Sequence, residues 1–377
     1  MSHRKRFYEG DLHPGSPSHK KPRSSNGNVD DDSKGFYELI PLFTSVPTFK
    51  DLDRGSKEIL DFYKSKLPSD SEYQSKFEMW SKLTTLFRSN SKDPEAQLMI
   101  FGSTLSGLSR KGSDMDICIM STHFSEKFTL LKALRGWIRG DRSLQTSHME
   151  MVPAKVPILK AVLALNGGQP LEIDFSCNDP TGVRNSHLIF SYGKLDSRFK
   201  PLYFVLKAWA SLWDIADAKD FGISSFSLIL MLIHYLQAGA SPPVLPVLHD
   251  IGPSHFREAL LKEDIMKLPY KPEADPPRAP KGFFIYYSVK FDFSKDVGSV
   301  RTGKALDAQE CYSWSMQTKA MPRQWLANVL MEEPFNRSNT ARSTINRPKF
   351  ESILSALQTG HRILVIKNGP LSDLLYS

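Results

Sequence analysis

The chain has 377 residues, 40% of them hydrophobic and 24% charged, and a formal net charge of +8. That is an ordinary globular composition, long enough for two domains with sizeable cores. Three scattered cysteines, Cys118, Cys177 and Cys311, exclude a disulfide framework and metal-type cysteine spacing, and favour a reducing compartment. The longest apolar run, 226–236, is shorter than the about 20 residues of a membrane span, so no membrane role is expected.

Residues 1–34 are rich in Ser, Pro, Gly, Asn and charge, and they read as a disordered basic tail. The clusters Arg4-Lys5-Arg6 and Lys20-Lys21-Pro22-Arg23 have the pattern of a two-part nuclear import signal or an RNA-contacting arm; a solvated tail with no specific role has equal weight. The start is polar and charged, unlike a secretory signal. Apolar residues at helical period predict helices over 52–67 and 73–87, the second opened by Ser69-Asp70-Ser71. Residues 97–101 read as a short strand, followed by a helix-like turn.

The most informative segment comes next. Phe101-Gly102-Ser103 precedes Ser113-Asp114-Met115-Asp116-Ile117-Cys118-Ile119. Strand side chains alternate between faces, so Asp114 and Asp116 share one face while Met115, Ile117 and Ile119 share the buried one. After a helical pattern over 126–138, strands are predicted over 155–163 and 171–177, with Asn166-Gly167-Gly168 as the turn between them. In the second of these Leu171, Ile173 and Phe175 form the apolar face and Asp174 lies opposite. If the two acidic strands are neighbours, Asp114, Asp116 and Asp174 converge. Three bare carboxylates so close repel one another, and a divalent cation held by hard oxygen ligands, Mg²⁺ or Mn²⁺, resolves the conflict. A Gly-Ser turn beside them suits phosphate. From Ser197 the pattern is mostly helical, over 201–213, 225–237, 283–293 and 347–358, with proline-rich linkers at 241–246 and 269–280.

The Gly-Ser turn with Asp-x-Asp resembles the DNA polymerase β-like nucleotidyltransferases. Four further stretches narrow the resemblance to cytoplasmic poly(A) polymerases of the germline-development type, with terminal uridylyltransferases as relatives. They begin at Thr181-Gly182-Val183-Arg184-Asn185, Pro201-Leu202-Tyr203-Phe204, Ile223-Ser224-Ser225-Phe226 and Met331-Glu332-Glu333-Pro334-Phe335-Asn336. The likeness covers roughly 50–355 and implies an α+β fold, a nucleotidyltransferase palm of mixed sheet and flanking helices plus a mainly helical PAP-associated domain, with the site in the cleft between. The expected division is 67–194 for the palm, and 35–66 with 195–360 for the helical domain.

The resemblance implies an enzyme that adds AMP from ATP to an RNA 3′ end, with Asp114, Asp116 and Asp174 as metal ligands. Gly102 and Ser103 would contact the terminal phosphates, and Lys207 and Ser225 the triphosphate. Phe226, where relatives usually carry Tyr, would stack on the base. Asn185 would touch the ribose, and Glu333 and Asn336 are the nearest candidates for the base edge. Uridylyl-transferring relatives often carry a histidine inserted after the Pro-Phe element; 335–340 has none and resembles the adenylate-adding enzymes. Relatives also have a Leu-Gly-rich helix where this chain has Asp275-Pro276-Pro277-Arg278-Ala279-Pro280, which predicts local remodelling. No RNA-binding module is recognisable, so an adapter protein is expected to choose the RNA. Cytoplasmic location is expected, with nuclear entry open through the tail. A terminal uridylyltransferase of the same fold and a catalytically idle scaffold are the competing readings.

Overall fold

A computed structural model describes residues 35–375 except 123, 125, 154–155, 252–279 and 320. The tail clusters, the remodelling expected at 275–279 and most of the second proline-rich linker lie outside the described residues. Among the described residues no helix is long and apolar enough to cross a membrane.

The first half builds a sheet with helices on its buried face. After α1 (Ile40–Thr44) come α2 (Arg54–Lys66) and α3 (Asp70–Ser91). Asp53 caps α2 by accepting from the Ser56 N–H. Ser69 caps α3, and Glu72 returns to the Ser69 N–H to complete a capping box. The sheet contains β1 (Gln97–Phe101), β2 (Met115–Met120), β3 (Leu144–Val152), β4 (Ile158–Leu165) and β5 (Leu171–Cys177), in the order β1-β2-β5-β4-β3. Only β2 and β5 run parallel. Met115, Ile117, Ile119, Ile173, Phe175 and Cys177 point to one side, into a core with Phe77, Leu83 and Phe87 of α3 and Leu130, Leu131 and Leu134 of α5 (Lys127–Gly140). The acids therefore face the other way, as alternation requires.

Two features depart from the sequence reading. The strand expected from 155 is β4 at 158–165, paired with β3, an edge strand that periodicity missed. Residues Gln145–His148 of β3 are exposed, so no alternation marks them. Residues 35–66, expected with the helical domain, divide between the two cores: Leu39, Ile40 and Phe43 pack on the sheet-side core with Tyr73 and Phe77, and Ile59 and Tyr63 on the helical one.

The second core is helical. It joins Ile59 and Tyr63 of α2 to α6 (Thr181–Leu195), α7 (Phe199–Leu212), α8 (Ser225–His234) and, late in the chain, the helix at Arg347–His361. Trp209, wholly buried, meets Phe283 and Phe284 edge-on. A three-stranded sheet in this half was not foreseen. It comprises β6 (Asp296–Ser299), β7 (Lys304–Asp307) and β8 (Met331–Glu332), in the order β7-β6-β8, with α9 (Ala308–Gln317) beside it. Strands of two to four residues are too short for a periodic signal.

Candidate active site

Strand register brings the acids together. Asp116 lies directly opposite Asp174 across the parallel β2–β5 pair, and Phe101 and Lys160 flank them in the same row. Asp114 completes the group: one carboxylate oxygen from each of the three lies within 4.8 Å of the others. Burial, with Asp114 and Asp174 close by, pushes the Asp116 carboxyl up to about 7. Burial and the Asp174 charge also raise Asp114. A set of three carboxylates fits a hard divalent cation, whose charge would reverse these shifts.

Two lysines that the sequence reading did not single out balance the charge. Lys160 of β4 forms an ion pair with Asp174. Lys76 of α3, only 4% exposed, donates to the Asp114 carbonyl at 3.1 Å and to Thr104 Oγ1 at 3.3 Å. Burial lowers its ammonium to about 8 against the opposing pull of Asp114, Glu72 and Asp116. A signal for Lys76 existed. It sits on the apolar stripe of α3 with Tyr73, Phe77 and Trp80, where a lone cation needs a buried acceptor.

The turn before β2 is the short helix α4 (Gly102–Ser106). Gly102 has φ +68°, a left-handed conformation suited to glycine. Its N–H donates to Ser186 Oγ at 2.7 Å, and Ser186 in turn donates to the Gly182 carbonyl. Without nucleotide the Gly102 N–H is thus engaged by Ser186, and the glycine also permits the close approach of Asp116. Ser103 Oγ is half-buried and pairs with Ser109 Oγ at 3.2 Å. The loop to Asp114 is tied down by Lys111 N–H on the Lys66 carbonyl and Gly112 N–H on Glu72.

The remaining candidates come from the helical half. Lys207 on α7 donates to Ser225 Oγ at 2.9 Å, at the first turn of α8. Ser224, not Ser225, caps that helix, leaving Ser225 exposed. Burial, then the nearby Arg110 guanidinium, lowers the Lys207 ammonium. Arg110, another residue not singled out, thus adds positive charge where Lys207 and Ser225 meet. Phe226 is half-buried against the helical core. Asn185 lies within α6 rather than capping it, since Pro180 is the N-cap. Its Nδ2 donates to Glu333 Oε1 at 2.8 Å, linking the two halves. Glu333 is 4% exposed and also accepts from the Phe335 and Asn336 N–H groups. Its side chain is thereby committed to shaping the turn, whereas Asn336 is exposed, with its Oδ1 taking the Ser338 N–H.

Comparison with known proteins agrees with this geometry. Residues 56–194 match the family model of the mitochondrial-like poly(A) RNA polymerase central palm domain, and 281–339 match that of the Cid1 family poly A polymerases. The poly(A) RNA polymerase gld-2 homolog A of Drosophila melanogaster is 33% identical over 312 residues, covering 78% of this chain and 22% of that protein. The GLD2-A enzyme of Xenopus laevis is 31% identical, covering 82% and 60% respectively. The chain thus spans less than two thirds of the length of these relatives. Among solved structures, the Cid1 poly(U) polymerase bound to MgGTP superposes with a TM-score of 0.70 at 24% identity, over 85% of this chain and 98% of that one. A GLD-2/RNP-8 complex gives 0.66 at 26% identity, over 85% and 97%.

The fold is a nucleotidyltransferase palm joined to a helical PAP-associated half. The chain carries the palm and the PAP-associated domains of the poly(A) RNA polymerase families over 56–194 and 281–339, and along most of its length it is similar to the GLD2-type poly(A) RNA polymerases.

Proposed function

We propose that this protein adds AMP from ATP to the 3′ end of RNA without a template. The observation that carries the reading is the carboxylate trio within 4.8 Å beside the Gly-Ser turn, in a chain that carries these two domains. Asp114 and Asp116 would hold two Mg²⁺ or Mn²⁺ ions, and Asp174 the one nearer the RNA hydroxyl. When bound, such a pair assists deprotonation of the 3′-hydroxyl and neutralises charge on the leaving group.

In the reaction a bond forms between the RNA 3′-oxygen and the α-phosphorus of ATP. The bond from that phosphorus to the bridging oxygen breaks, and pyrophosphate leaves. In-line positioning and charge neutralisation supply most of the acceleration for such a transfer. Lys207, Arg110, Ser225 and Ser103 would hold the triphosphate. Phe226 would stack on the base and Asn185 would meet the ribose. Asn336, exposed on its turn, would face the base edge, with Glu333 setting the turn's shape.

An adapter protein would deliver the RNA, a reading supported by the solved GLD-2/RNP-8 complex. A nucleotide- and RNA-binding cleft is supported by Cid1 structures solved with a UTP analogue and with the product ApU. We place the activity in the cytoplasm, with the tail clusters open to a role in nuclear entry.

Purified protein, Mg²⁺, an oligo(A) primer and each of the four triphosphates test the reading. ATP should give the longest extension; clear preference for UTP would overturn it. The likeness to Cid1 keeps uridylyl transfer as the second reading. Inserting a histidine between Ser338 and Asn339 should move the preference toward UTP.

A further inference from the structure

Two adjacent glutamates open the turn at 333–338 and face different partners. Glu333 is bonded within the turn and to Asn185. Glu332, on β8 and 1% exposed, looks the other way. Its Oε2 accepts from Ser299 Oγ at 2.5 Å, and its Oε1 accepts from Arg301 Nη2 at 2.7 Å and Arg337 Nε at 3.1 Å. A carboxylate this buried requires its cations, because losing one leaves charge uncompensated in a poorly solvated place.

Arg337 belongs to the turn and is its anchor. Its guanidinium carbon lies 4.1 Å from the centre of the Trp314 ring on α9. Its backbone has φ +59°, which residues with a Cβ seldom adopt. Within the turn, the Arg337 N–H donates to the Glu333 carbonyl at 3.0 Å and the Glu333 N–H to the Ser338 carbonyl at 2.7 Å. A side chain gripped by a ring on one side and a buried carboxylate on the other holds this backbone in its uncommon state.

We propose that Arg337, clamped between Trp314 and Glu332, is a positioning residue for nucleotide choice: it fixes the shape of the turn that meets the base, without touching the base itself. The proposal rests on the reading that this turn contacts the base. The small sheet and α9 then act as the turn's foundation.

The test compares wild type with Arg337→Ala, Arg337→Gly and Trp314→Leu in the full chain, using equilibrium affinities for ATP and UTP and steady-state extension of oligo(A). Thermal melting confirms that each variant is folded. Arg337→Ala and Trp314→Leu should compress the ATP-to-UTP affinity ratio about tenfold or more, through weaker binding of the preferred nucleotide. The loss should fall on KM, with kcat at saturating nucleotide within about threefold of wild type. Arg337→Gly should recover part of the ratio, since glycine accepts the left-handed conformation unaided. A ratio unchanged in both folded variants, or equal affinities in wild type, overturns the clamp. Wild type preferring UTP would overturn adenylate transfer instead, and the clamp would still be judged by whether its loss compresses that preference.

Discussion

Gly102 and Asp116 approach so closely that a β-carbon at position 102 would stand 1.9 Å from Asp116 Oδ2. The glycine of the turn and the second acid of the strand are thus one fitted unit. Gly102→Ala should cut RNA extension at least about a hundredfold, because displacing a ligand carboxylate disrupts in-line geometry. The left-handed φ of +68° adds strain. Extension kinetics and Mn²⁺ titration of the variant check this; near-normal activity would refute the fit.

Asp116→Asn should abolish extension, by about a thousandfold or more, while raising metal-free stability. Asp116's folded pKa is raised to about 7 by burial and by its acidic neighbours. The carboxyl is therefore comfortable protonated, and its share of stability is lost as pH rises from the unfolded carboxylate value near 3.8 to about 7. The stability gain from asparagine should accordingly be full above pH 7, shrink as pH falls and vanish near pH 4. Melting curves at both values in EDTA decide the matter.

Lys207→Ala should raise KM for ATP about tenfold or more, with a smaller effect on kcat, since a cation binding phosphate acts in ground and transition states alike. Arg110 beside it is expected to behave similarly and non-additively, because the two charges serve one ligand. Additive losses would show that the residues act on separate groups.

Acid should unfold the protein cooperatively. Burial holds His187, His234 and His249 down to about 4 each. A depressed folded pKa contributes stability that is complete above the unfolded value near 6.5 and is lost as pH falls through that value toward 4. Urea midpoints should therefore drop across this window, with an uptake of up to three protons on unfolding. A flat profile between pH 6.5 and 4.5 would contradict the burial argument.

The acid trio was legible in the sequence because strand alternation needs only neighbouring residues: Asp114 and Asp116 had to share a face, and Asp174 had to oppose Phe175. The apolar helices Ser225–His234 and Phe199–Leu212 were legible for the same kind of reason. What stayed hidden depends on distant partners. Lys76 and Lys160 read as ordinary lysines until packing sets one under Asp114 and the other beside Asp174. Gly102's N–H meets Ser186, from a helix far along the chain, a partner beyond the reach of local pattern. The Glu332 clamp draws on β6, α9 and the turn, and no local pattern announces such a junction.

Asp116 and Asp174 stand side by side because parallel neighbours β2 and β5 pair them in register. Their separation is thus a repeat distance of the sheet, indifferent to how much chain runs between them. The β4–β5 hairpin tip at Asn166-Gly167-Gly168 and the loops of that excursion are free to lengthen or shorten without moving the chemistry. A shift of one residue in the pairing, by contrast, would turn Asp174 inward and Phe175 to solvent at a single stroke.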